Sequence, residues 1–160
     1  MRVNSSILWI AGLGCAPAEG VRVDSGVAEV EWGSWELNTH FVTESETCSD
    51  MGASGENLGT LYGEIDINET NELTMTLGDQ FLSGSLNPDG FFIEGFRPIE
   101  VTGDDSVYGI GVDLEGWSSD PLQFSGILVY RLDFPNGLCE MEFNIDAGWL
   151  YYEPPPFCDG

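Results

Sequence analysis

The chain has 160 residues, 28 of them acidic against four arginines and no lysine, for a formal charge of −24 at pH 7. Such a surface repels phosphate backbones and anionic headgroups, so nucleic acid is excluded as a partner. Hydrophobic residues make up 42% of the chain, with five Trp, five Tyr and nine Phe, which excludes a disordered chain despite the charge. The length suits one domain. Salt screens self-repulsion, so solubility in a salty exterior accounts for the charge without a specific cation site.

The amino terminus reads as an export signal over residues 1–14. Arg2 gives a positive start, Ile7-Leu8-Trp9-Ile10 begins a short apolar run, and small residues lead to Cys15. The run cannot cross a bilayer of about 30 Å, which needs about 20 apolar residues. Leu13-Gly14-Cys15 resembles the lipobox of bacterial lipoproteins, with Gly12 where that family has Leu. The resemblance implies a lipidated Cys15, membrane attachment through that anchor, and residues 15–26 as anchor and linker. Ala16 stands where an Asp would signal inner-membrane retention, so the implied destination is the outer membrane, facing the periplasm or exterior. A plain secretory signal cut near Ala16 or Ala18 is the alternative, giving a soluble secreted protein.

Residues 27–152 read as an antiparallel β domain with no convincing helix. From Val27 to Val42, apolar residues alternate on either side of Gly33, but the parity switches there. A bulge at Gly33-Ser34 would set Val30, Trp32, Trp35, Leu37 and Phe41 on one face. Tyr62–Ile67 and Leu73–Leu77 alternate next. Gln80–Leu86 and Phe91–Phe96 flank the hairpin turn Asn87-Pro88-Asp89-Gly90. Tyr108, Ile110, Val112 and Leu114 share a parity, as do Leu122, Phe124, Leu128, Tyr130 and Leu132. After the turn at Asp133–Gly137, Cys139, Met141, Phe143, Ile145 and Ala147 point one way and Glu140, Glu142, Asn144 and Asp146 the other. The Pro-rich segment 153–160 reads as an extended tail.

These strands predict an all-β antiparallel meander, closed as a small up-and-down barrel of about eight strands, with a β-sandwich as the alternative. In a closed barrel the end of the first strand lies beside the start of the last. That brings Cys48 to Cys139, a seam bridge contributing about 3–5 kcal/mol by the chain-entropy argument. Cys158 falls at the opposite rim, able to pair with an unlipidated Cys15; Cys139–Cys158 is the rival pairing. Gly33-Ser34-Trp35 resembles the Gly-x-Trp signature of lipocalins, in which the Trp plugs one barrel end and a late Arg packs across it. Arg131, on the penultimate strand, is a loose match for that Arg.

Little in the chain points to catalysis. His40 is the single histidine and has outward parity. The pairs Glu64/Asp66 and Glu140/Glu142 have a spacing that acid–base chemistry could use, but any solvated strand of so acidic a protein shows it. Asp66–Asn71 begins like a calcium loop but has Asn71 and Leu77 where Gly and Glu are required. Asp104-Asp105 reads as a solvated turn, and neither metal nor cofactor is expected. The expectation is a non-enzymatic barrel that binds a small apolar ligand inside, lined by Trp35, Phe41, Phe124, Tyr130 and Phe143, or serves as a structural surface protein. The alternative is a sandwich-type carbohydrate-binding or adhesion module, contacting glycan through the rim aromatics Trp117, Trp149, Tyr151 and Tyr152.

Overall fold

The computed structural model describes residues 29–104 and 106–151. Cys15 and the lipobox, Tyr152 and Cys158 lie outside them. Eight antiparallel strands follow one another in chain order and close into a barrel. They are β1 (Gly33–Glu44), β2 (Leu61–Ile67), β3 (Glu72–Leu77), β4 (Gln80–Asn87), β5 (Gly90–Ile99), β6 (Tyr108–Asp120), β7 (Gln123–Phe134) and β8 (Gly137–Tyr151). Between β1 and β2 lie a five-residue helix, α1 (Glu46–Asp50), and a 3-10 turn (Gly55–Asn57). Neither is long enough to show a helical repeat in sequence.

Closure is made by β8 pairing back onto β1, from Ser34↔Tyr151 to Glu44↔Met141. This ladder removes both free edges, which an open sheet would have to protect. It overturns the β-sandwich alternative, because one continuous ring of pairings replaces two stacked sheets. The predicted irregularity beside Gly33 is present: Gly33 has φ +115° and the β1–β8 register shifts between Ser34 and Trp35. Trp35 and Leu37 then face inward and are fully buried. A second shift lies between Phe41 and Thr43, after which β1 stays paired to β8 through Glu44↔Met141.

The alternation of side chains sets what lies inside. Leu73, Met75, Leu82, Ile93, Val112, Leu114, Leu128 and Phe143 are inaccessible to solvent. The outer face is rich in carboxylates, among them exposed Glu64, Asp66, Glu94, Glu115, Glu140 and Asp146, with exposed Tyr62, Phe81, Phe92 and Phe96 set between them. A barrel that spans a membrane has the reverse arrangement, apolar outside. No described helix is long and apolar enough to cross a membrane either. Leu122 departs from its predicted parity: it precedes β7 and is 45% exposed.

Both poles are covered. At the lower pole the segment before β1 folds across the opening: Glu31 N–H donates to the Pro121 carbonyl at 2.8 Å, and Val30 is buried. At the upper pole α1 is fixed by the Cys48–Cys139 disulfide, the predicted seam bridge. That bond removes the rival Cys139–Cys158 pairing. The 3-10 turn packs against the upper half of β1, where Gly55 N–H donates to the Glu44 carboxylate at 2.9 Å and Thr39 Oγ1 donates to the Leu58 carbonyl at 2.6 Å.

Candidate functional site

The expected ligand-lining residues do meet inside the barrel, and they meet one another. Near the lower pole the rings of Trp35 and Phe124 are 4.9 Å apart, and Phe91 stands edge-on to Phe124 at 5.1 Å. The Trp35 indole donates to the Glu31 carbonyl at 3.0 Å, so the ring is anchored to the segment that closes this pole. In the upper half Phe143 takes the edges of Tyr130 at 6.3 Å and Phe41 at 6.0 Å. Phe41 stands at the upper rim and is 38% exposed. Burial, followed by the charge of Asp79, raises the Tyr130 phenol above its ordinary value. Buried aliphatic side chains, among them Leu37, Leu114 and Leu128, belong to the same core cluster as the buried rings, and side chains can fill the interior of an eight-stranded barrel in this way.

The polar exceptions gather at the upper mouth. Gln80 is 4% exposed and its Oε1 has no hydrogen-bond partner. Continuing the β4–β5 register beyond Ser83↔Glu94 places Gln80 opposite Arg97. Arg97 Nη2 pairs with Asp79 at 3.2 Å, while its Nε is buried without a partner.

A groove lies on the opposite side of the wall. It runs along the outer face of β4 to β8, has a volume of about 700 Å³, and is walled by Phe81 and Phe96 on one side and Arg131 and Leu138 on the other. The strand registers explain its shape. Phe96, Gly111, Arg131 and Glu140 form one row across four strands, so the hollow sits where Gly111 contributes no side chain. The Phe96 ring leans over that gap: a Cβ on Gly111 would lie 3.8 Å from Phe96 Cδ2, and one on Gly109 would lie 2.7 Å from Phe96 Cζ. Glycine backbone thus supports the ring, leaving Phe96 52% exposed; Phe81 is 63% exposed.

Arg131 anchors the far wall. Its Nη2 donates to Asp113 at 2.5 Å and its Nε donates to Glu140 at 3.1 Å. The hydrogen bond to Asp113 dominates in holding the guanidinium protonated above its ordinary range. Arg131 therefore does not pack across Trp35 as the lipocalin resemblance implied. Its parity points it outward in the upper half, whereas Trp35 is enclosed at the lower pole.

The other candidate residues are dispersed. Trp117 is 46% exposed near the lower end of β6. Trp149 is half-buried and its indole donates to the Trp32 carbonyl at 2.9 Å, which fixes the ring in the lower closure. Tyr151 ends β8 beside Ser34. His40 faces solvent 3.5 Å from Asp146. Asp104 accepts from Ser106 N–H and from the Tyr108 hydroxyl, both at 2.8 Å. Among the described residues no group of three His, Cys, Asp or Glu side chains is arranged to hold a metal ion.

No family model, no curated protein and no solved structure matches the chain. The likeness to lipocalins is one of architecture: a closed, eight-stranded, antiparallel up-and-down barrel.

The groove was missed because linear reading treats each strand alone. Phe81 and Phe96 are strand aromatics of outward parity, which was the available signal. Their adjacency to Arg131 depends on registers across four strands.

Proposed function

We propose that this is an exported, lipid-anchored, non-enzymatic barrel whose outer wall, rather than its interior, is the working surface. The observation that carries the reading is that the inward rings meet one another: Trp35, Phe91 and Phe124 are buried in contact, and Phe143 is buried against Tyr130 and Phe41. The Cys48–Cys139 bond supports export, because such bonds persist in oxidising compartments. The Leu13-Gly14-Cys15 segment supports the anchor, with stable attachment requiring more than one acyl chain. On this reading the protein holds a rigid, acidic surface at the membrane face.

Titration with an apolar fluorescent probe tests the first part: the folded protein should give no saturable interior binding. Mass spectrometry of the mature protein tests the second, with an acylated Cys15 and an intact Cys48–Cys139 bond expected. Saturable probe binding that displaces Tyr130 or Phe41 would restore the carrier reading. A mature chain retaining Met1 would remove export.

A further inference from the structure

We propose that the outer groove between Phe96 and Arg131 binds an organic ammonium ion bearing apolar substituents. The inference rests on the outer wall being the working surface and names the ligand class for it. Two features of the hollow are independent of each other. Its wall offers two exposed phenyl rings, and Phe96 is held over glycine backbone, so that it stands as a platform. Leu138, 49% exposed, supplies an aliphatic contact opposite.

The second feature is charge. The guanidinium of Arg131 is already engaged by Asp113 and Glu140. Glu94 and Asp133 also line the groove, and neither has an ion-pair partner among the described residues. The groove therefore carries uncompensated negative charge beside aromatic faces, within a chain of formal charge −24. Aromatic faces attract cations through the ring quadrupole, and the effect grows as the cation loses water. The surrounding field raises the local concentration of cations further. A neutral sugar would gain the stacking but leave the carboxylates unneutralised. A bare metal ion would gain the carboxylates but not the rings. An alkylammonium ion uses both.

The test is a titration of the full folded protein with choline and with its neutral isostere 3,3-dimethylbutan-1-ol, followed by calorimetry and by amide chemical shifts. Choline should bind saturably, at least about tenfold more tightly than the isostere. Shifts should centre on Phe96, Gly111 and Arg131, and the affinity should fall with added salt. Phe81→Ala, on an exposed side chain, and Glu94→Gln with Asp133→Asn should each weaken binding with little change in melting temperature. Gly111→Val should block the hollow; a Cβ there meets ordinary van der Waals distances, 3.6 Å from Arg131 Cβ.

The proposal is overturned by absence of saturable choline binding to folded protein. Equal affinity for the neutral isostere, stronger binding of glucose or calcium, or shifts confined to the Trp117 rim or the His40 face would also overturn it. An apolar probe reports on the interior separately, so failure here is distinguishable from failure of the outer-wall reading.

Discussion

Cys48 and Cys139 are bonded across 91 residues of chain, joining the helix that follows the first strand to the beginning of the last. The bond locks the same seam that the β1–β8 ladder closes by hydrogen bonding. Replacing both cysteines by serine should leave the barrel folded but lower its stability by about 3–5 kcal/mol. Urea unfolding of the oxidised protein and the double variant measures this. A difference below about 1 kcal/mol would show that the bond constrains the denatured chain far less than its loop length implies.

Trp35 is fully buried, packed against Phe124 with the two rings tilted, and hydrogen-bonded to the segment that closes the lower pole. Trp35→Ala should cost about 3–5 kcal/mol, from lost burial and the cavity left behind. Trp149→Phe, which removes an indole donor but keeps a ring, should cost about 1 kcal/mol. Denaturant midpoints with unchanged m-values would bear this out. A smaller loss for Trp35→Ala than for Trp149→Phe would contradict the assignment of Trp35 as the pole's main plug.

Gln80 holds a buried, unpartnered carbonyl oxygen at the upper mouth. Gln80→Met keeps the length of the side chain and removes that unsatisfied acceptor. Stability should rise by about 1 kcal/mol. A fall instead would mean that the bond from Gln80 Nε2 to Asp79, 3.4 Å long and also lost in the variant, outweighs the cost of the unpartnered oxygen.

The Asp104–Tyr108 hydrogen bond defines a pH window for the loop between β5 and β6. The Ser106 backbone N–H and then the Tyr108 hydroxyl hold the Asp104 carboxyl below its ordinary 3.8. That contribution is complete above the unfolded value and is lost as pH falls through the folded one. The bond to Asp104 raises the Tyr108 phenol above its ordinary 10.0, so its contribution is complete below that value and lost as pH rises through the folded one. Comparing phenolate absorbance of the wild type with Tyr108→Phe should reveal a late-titrating tyrosine. In Asp104→Asn that phenol should titrate earlier. An unchanged Tyr108 titration in Asp104→Asn would show that the bond does not hold the loop.

Much of the architecture was legible from two-residue periodicity. Cys139 to Ala147 alternate without a break, and all five inward residues are buried. The turn at Asn87–Gly90 was readable from its Pro and Gly, and Gly90 has the φ of +155° that only glycine adopts easily. The parity switch at Gly33 marked the bulge. The second register shift near Phe41 left no such sign, because Phe41, Val42 and Thr43 fit a strand in either register. The five residues of α1 were invisible because a single turn is fixed by Cys48 and the Ser45–Glu140 contacts rather than by local pattern. Arg131 was misplaced for a related reason. Its carboxylate partners come from β6 and β8, and nothing in the sequence near it states that register.

Because Ser34 pairs with Tyr151, the start of β1 and the end of β8 lie side by side at the pole away from the Cys48–Cys139 bond. A short linker could therefore join the two ends, and the polypeptide could be reopened elsewhere, for instance at the tight Gly78–Asp79 bend, without disturbing the ring of pairings. The order in which the eight staves are synthesised is separable from the order in which they stand.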